Sequence, residues 1–236
     1  MEATAVDVGV GVLRSGGNAV DAAVAVGFAL AVTHPFAGNL GGGRYMLIRM
    51  ADGTATFIDF RERAPEKASR NMYLDAQGNL TRNSIEGWRS SGVPGTVRGF
   101  EMAVKKYGTR TWAQNIAPAI ELASKGFTVS YALAEGLKGS RDLATDPESR
   151  GVFQRVGTFY EMGDTLAQPD LARMLERIST KGPGEVGIGH SLRCRGDAAR
   201  LRRSQRVRRR SRFREGAHRR PARSRVSVEA PRDDQP

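Results

Sequence analysis

Fourteen consecutive residues, Ala19–Val32, hold one ionisable side chain, Asp21, and otherwise run through Ala, Val, Phe, Leu and a single Gly. A helix of that composition is apolar on every side. Water is a poor neighbour for any of its faces, so it belongs in the middle of a fold with other elements packed around it. It is too short to span a bilayer, which needs about 20 apolar residues. Asn18 precedes it as an N-cap, Asp21 stands three residues on where a carboxylate suits a helix N-terminus, and Pro35 stops it.

Further elements follow along the chain. Ala3–Arg14 carries Val6, Val10 and Leu13 at helical spacing and ends at Ser15-Gly16-Gly17. Tyr45–Met50 and Thr54–Phe60 read as strands, and Ala51-Asp52-Gly53 between them predicts a hairpin. Further helices are predicted at Thr96–Lys106, Trp112–Lys125, Tyr131–Leu143 and Leu171–Ser179. In the first of these Val97, Phe100 and Val104 share a face; in the second Ile116, Ile120 and Ala123 do, with Gly126 as its C-cap. Ala64–Gly92 reads as polar and irregular, and Val152–Gly163 as a loop anchored by Phe153, Phe159 and Tyr160. The pattern is that of an α+β fold with one core, in residues 1–182.

Charge divides the chain at the same place. The formal net charge is +12, from 37 basic and 25 acidic residues. Sixteen arginines, no lysine and six acidic residues fall in 183–236, which leaves twenty-one basic and nineteen acidic residues in 1–182. The body is therefore close to neutral, and the basic character belongs to the tail. That tail has too little apolar surface to offset the entropy of ordering and is expected to be disordered. Its arginines suit phosphate backbones, yet Phe213 is the one aromatic among them, and arginine without lysine fits a shifted reading frame of a GC-rich gene better than a nucleic-acid arm. Cys194 is the single cysteine, so no internal disulfide can form. His34, His190 and His218 share no ligand spacing, which argues against a metal. The N-terminus shows no basic segment followed by an apolar run and a cleavage site, so the chain as written reads as soluble, without an export signal.

One stretch carries a candidate binding residue. In Ile58-Asp59-Phe60-Arg61-Glu62-Arg63-Ala64-Pro65 the second strand delivers Arg61 at its end, just before a proline stops the pattern. An arginine fixed there presents two parallel N–H groups to a carboxylate. Locally, an ion pair with Asp59 or Glu62, or a solvated edge charge, remains an alternative. The preceding Gly38-Asn39-Leu40-Gly41-Gly42-Gly43 permits close approach of backbone to a partner. It has neither Walker nor Rossmann spacing, which favours a packing turn over a phosphate cradle.

Taken in order, Gly16-Gly17-Asn18-Ala19-Val20-Asp21-Ala22-Ala23-Val24-Ala25, Thr33-His34-Pro35, Gly38–Gly43, Asp59-Phe60-Arg61-Glu62 with Ala64-Pro65, Gly92-Val93-Pro94-Gly95-Thr96-Val97 and Ala117-Pro118-Ala119-Ile120-Glu121-Leu122-Ala123 resemble the large subunit of γ-glutamyltranspeptidases. The resemblance covers residues 1–182. It departs at Arg44 and Tyr45, where the family usually has Gly and Phe, a change expected to crowd the backbone. It departs again after Gly182-Pro183, where an acidic residue, two aromatics and a glycine are expected.

The resemblance implies an incomplete N-terminal-nucleophile hydrolase fold, an αββα sandwich of which this chain holds a large-subunit portion. It implies transfer or hydrolysis of the γ-glutamyl group of glutathione and other γ-glutamyl compounds, with amino acids, peptides or water as acceptors. It assigns the α-carboxylate of that group to Arg61. The catalytic nucleophile is implied to be a threonine at the start of a small subunit missing from this chain; Thr4, Thr33, Thr54 and Thr56 do not match it, so no catalytic residue is assigned here. No cofactor, metal or membrane is implied, and export to the periplasm or exterior would be a property of the full-length protein. Two other readings stand beside it: a nucleic-acid-binding protein acting through the arginine tail, and a fragment of a related β-lactam or cephalosporin acylase.

Overall fold

The structure is a computed structural model that describes residues 2–85 and 87–185. The expectations for the arginine-rich tail, Cys194, His190 and His218 lie outside the described residues. The central helix is α2 (Ala19–Thr33), and eleven of its fifteen residues are buried, as a helix without a polar face must be. It is covered by α1 (Ala3–Arg14), α3 (Thr96–Tyr107) and α4 (Trp112–Lys125). Phe28 of α2 sits edge-on to Phe100 of α3 (centroids 5.3 Å apart) and to Trp112 of α4 (5.4 Å), an arrangement that aligns ring edges with ring faces.

α1 packs differently from the sequence expectation. Its buried residues are Ala5, Gly9 and Val12, while Val6, Val10 and Leu13 are exposed. Two helices that approach closely need small side chains between them, so the small stripe turns inward and the larger one is left outside.

The N-terminus of α2 is fixed by Asp21, which is fully buried. Asn18 and Asp21 form a reciprocal capping box. The Asp21 carboxylate also accepts from the Thr109 backbone N–H (2.9 Å), the Thr109 hydroxyl (2.8 Å), the Arg110 N–H (3.2 Å) and the Asn115 side-chain amide (3.0 Å). One carboxylate thus ties α2 to the α3–α4 connection and to α4. Burial alone would raise its pKa; donation from Thr109, Asn115 and Asn18 outweighs that and holds it down at about 2.

Strands β1 (Tyr45–Arg49) and β2 (Ala55–Asp59) form the predicted antiparallel hairpin, in the register Tyr45↔Asp59 and Leu47↔Phe57. Asp52 accepts from Thr54 N–H across the turn (2.8 Å), as expected of an Asp-Gly hairpin. The inward face puts Ile48 and Ile58 in the core, with Met46 packed against it. The outward face carries Tyr45, Leu47 and Phe57, and Leu47 is 75% exposed. Among the described residues no second sheet covers that face.

Beyond α4, β3 (Phe127–Thr128) pairs with β6 (Thr165–Leu166). The helix predicted for Tyr131–Leu143 is two helices, α5 (Tyr131–Gly139) and α6 (Arg141–Thr145). Ser140 is extended and its hydroxyl accepts from Leu143 N–H, so it closes one helix and caps the next. The loop expected at Val152–Gly163 contains the end of α7 (Pro147–Phe153) and a hairpin of β4 (Gln154–Arg155) and β5 (Thr158–Phe159). Its turn, Val156-Gly157, takes positive φ at both residues. That geometry suits tight hairpins, but valine seldom adopts it, which is why the sequence did not suggest one. The last helix, α8 (Pro169–Lys181), buries Ala172, Leu175 and Ile178 against α4 and ends at Gly182.

Candidate functional site

Arg61 lies two residues past the end of β2, and three segments meet around its backbone. Phe60 N–H donates to the Arg44 carbonyl (3.1 Å), and Arg63 and Val93 exchange a pair of backbone hydrogen bonds (3.2 and 2.8 Å). The Gly42 carbonyl accepts from both Gly95 N–H (2.8 Å) and Thr96 N–H (3.0 Å), at the start of α3. Asn39 Oδ1 accepts from Gly42 N–H (2.7 Å) and from the buried Thr96 hydroxyl (3.1 Å). The glycine loop, the 60–63 segment and the 92–96 segment therefore form one hydrogen-bonded unit.

Two glycines make this contact possible. A Cβ on Gly43 would stand 2.5 Å from Arg61 Cα, and one on Gly95 would stand 2.0 Å from the Phe60 carbonyl oxygen. Both distances are inside van der Waals contact with backbone, which cannot move aside as a side chain can. Phe60 adds an anchor in the core: it is buried and meets Phe100 edge-on at 5.8 Å. The glycine loop is thus a packing device, as the sequence suggested, and what it packs is the Arg61 backbone.

The Arg61 side chain is exposed. Its Nη1 donates to the Tyr45 hydroxyl at 2.9 Å, and the guanidinium carbon lies 5.5 Å from the Tyr45 ring centroid. Tyr45 in turn stacks on Phe57, centroids 5.3 Å apart and planes 28° from parallel. The ion pair with Asp59 or Glu62 that the local sequence allowed is not formed; Asp59 Oδ1 instead accepts from Arg61's own N–H (3.1 Å) and shapes the strand end. Arg44 turns back along the loop, donating from Nη2 to the Ala37 carbonyl (3.1 Å), so its side chain is accommodated without displacing the loop from Arg61. The arrangement is a cation with a fixed backbone and an open side, suited to an anion with two acceptor oxygens. Among the described residues no group of three His, Cys, Asp or Glu side chains could hold a metal ion, and no helix is long and apolar enough to cross a membrane.

The sequence model of gamma-glutamyltranspeptidase matches residues 5–189. The chain belongs to the γ-glutamyltranspeptidase family. Over 192 residues it is 53% identical to the glutathione hydrolase proenzyme of Escherichia coli K12, a match covering 80% of this chain and 33% of that protein. The crystal structure of the γ-glutamyltranspeptidase from Helicobacter pylori is similar with a TM-score of 0.74 at 47% identity, over 77% of this chain and 53% of that one. The γ-glutamyltranspeptidase from Pseudomonas nitroreducens, solved in complex with L-DON, gives 0.71 at 38% identity, over 87% and 58%. The chain spans about a third of the length of the curated relatives it matches. Its helices and hairpin are thus part of the α+β fold of γ-glutamyltranspeptidases and other N-terminal-nucleophile hydrolases. The sequence reading put Arg61 forward as a candidate but gave Tyr45 no role. The hairpin turn held the missing signal: it sets Tyr45 opposite Asp59, two residues from Arg61.

Proposed function

We propose that residues 1–182 form the donor-binding part of a γ-glutamyltransferase or glutathione hydrolase, in which Arg61 receives the α-carboxylate of the γ-glutamyl group. The donor would be glutathione or another γ-glutamyl compound, and the acceptor an amino acid, a peptide or water. The nucleophile and its base would come from the small-subunit half that this chain does not contain; no cofactor is needed for acyl transfer of this kind. The observation that carries the reading is an exposed guanidinium on a backbone clamped from two sides, paired with a phenol and, among the described residues, with no carboxylate.

The test is Arg61→Lys in an enzyme completed with the remaining two thirds of a family member's chain, small subunit included. An ammonium keeps the charge but cannot form the planar fork. Losing one charge-assisted hydrogen bond raises KM for a γ-glutamyl donor about tenfold or more, with a smaller change in kcat. An unchanged kcat/KM would return Arg61 to the standing of a solvated surface charge.

We further propose that residues 184–236 are an out-of-frame translation. Support comes from the arginine-rich, lysine-free composition, which begins close to the end of the family match at residue 189. Reading the gene in the other frames around codons 180–190 is expected to yield an Asp-x-Phe-Tyr-x-Gly run; if neither frame does so, the proposal fails. No observation on the described residues favours the nucleic-acid or the acylase reading.

A further inference from the structure

We propose that Tyr45 is a positioning residue for Arg61, holding its guanidinium so that the Nε–Nη2 edge stays open to a carboxylate. The proposal rests on the reading of Arg61 given above. Register places the two side chains together: Tyr45 stands opposite Asp59, and Arg61 follows two residues later on the same outer face. Phe57 stacks on Tyr45, and Tyr45 lies against the guanidinium, so the three form a ladder across the hairpin.

The hydrogen bond from Nη1 to the Tyr45 oxygen uses one of five guanidinium N–H groups. Nε–H and the adjacent Nη2–H point in parallel on another edge, the pair that matches two carboxylate oxygens. The Tyr45 oxygen accepts in this bond, which leaves its own O–H proton available to donate. A surface arginine otherwise loses its rotamer freedom when ligand arrives; one already held loses less, and the gain appears as ligand affinity. The clamp of Gly43 and Gly95 fixes only the backbone of residue 61. Orientation of the side chain falls to Tyr45.

The first test is kinetic, in the completed enzyme. Tyr45→Phe keeps the ring against Phe57 and Arg61 and removes only the hydroxyl. It is expected to raise KM for a γ-glutamyl donor about fivefold while kcat changes less than about twofold. Because Tyr45 acts through Arg61, the substitution should add nothing in an Arg61→Lys background. It should also have no effect on a donor whose α-carboxylate is amidated. If Arg61→Lys raises KM and Tyr45→Phe does not, the positioning role is wrong and the reading of Arg61 survives. If neither raises KM, both fall. Equal effects of Tyr45→Phe with Arg61 and with Lys at position 61 would give Tyr45 a role of its own and overturn the proposal.

The second test uses the 236-residue chain and needs no activity. In ¹⁵N NMR the Arg61 guanidinium, tethered at Nη1, should rotate slowly about its Nε–Cζ bond. That rate should rise in Tyr45→Phe; a rate that is equal in the two proteins would overturn the proposal.

Discussion

Mixed with γ-glutamyl-p-nitroanilide, the 236-residue chain is expected to release nitroaniline no faster than buffer does. Binding a carboxylate at Arg61, as proposed, would stabilise the ground state and the transition state alike, and uniform binding does not lower the barrier to amide cleavage. Cleavage needs a nucleophile, a base and donors aimed at the developing oxyanion, and the proposed function assigns all of these to the small-subunit half. Enzymes accelerate their reactions by at least about a millionfold. The difference between this chain and residues 1–182 continued in frame through the rest of a family member's chain, small subunit included, should therefore run from undetectable to full turnover. The assay is a single absorbance trace for each protein. Clear turnover by the 236-residue chain, surviving purification to homogeneity, would mean that the nucleophile lies within it.

The second large effect is expected at Asp21. Asp21→Asn preserves shape but replaces an acceptor-only group with an amide whose NH2 faces either the Thr109 and Asn18 donors at Oδ2 or the Arg110 and Asn115 donors at Oδ1, whichever way it is turned. Each hydrogen bond to a charged group contributes about 1.5–3 kcal/mol, and a buried donor left unpaired costs about 1–3 kcal/mol. A loss of about 3 kcal/mol or more is a large fraction of the about 5–15 kcal/mol that keeps a domain folded. The midpoint of urea unfolding, followed by tryptophan fluorescence, should fall accordingly. The pH dependence supplies an independent check. The folded pKa, about 2, lies below the ordinary value of 3.8, so ionised Asp21 favours the folded state. Its contribution, about 2 kcal/mol for a shift of this size, is complete above pH 4 and lost as pH falls toward 2. Stability of the unsubstituted chain should drop across that window. Asp21→Asn should show a shallower drop there; an unchanged midpoint and slope would mean that Asp21 does not hold these elements together.

Much of this architecture was legible because single residues dictate local geometry. Asn18 and Asp21 marked the start of α2, Asp52-Gly53 set the hairpin, and the unbroken apolar surface of Ala19–Val32 required a central helix. What escaped was decided by packing between elements. Val6, Val10 and Leu13 have helical spacing, but α1 turned Ala5 and Gly9 inward because close helix contact favours small residues. Ser140 split a continuous apolar pattern with its own hydroxyl. Val156 adopted a backbone conformation that its β-branched side chain disfavours. At the candidate site, Arg61 drew notice from its place after a strand. Its partner was not, since Tyr45 is sixteen residues away along the chain and meets it only through register.

The main-chain grip on residue 61 separates where that position is from what it carries. None of the bonds that locate it passes through the arginine side chain, and the two close approaches are made by glycine. Replacing the side chain leaves the ribbon, the loop and the start of α3 in register. The position is thus an exchangeable head on a fixed support. With Arg61 in the proposed role, substitutions there would alter which end group of a donor is accepted, a neutral amide in place of an acid for instance, while the main-chain support stays as it is.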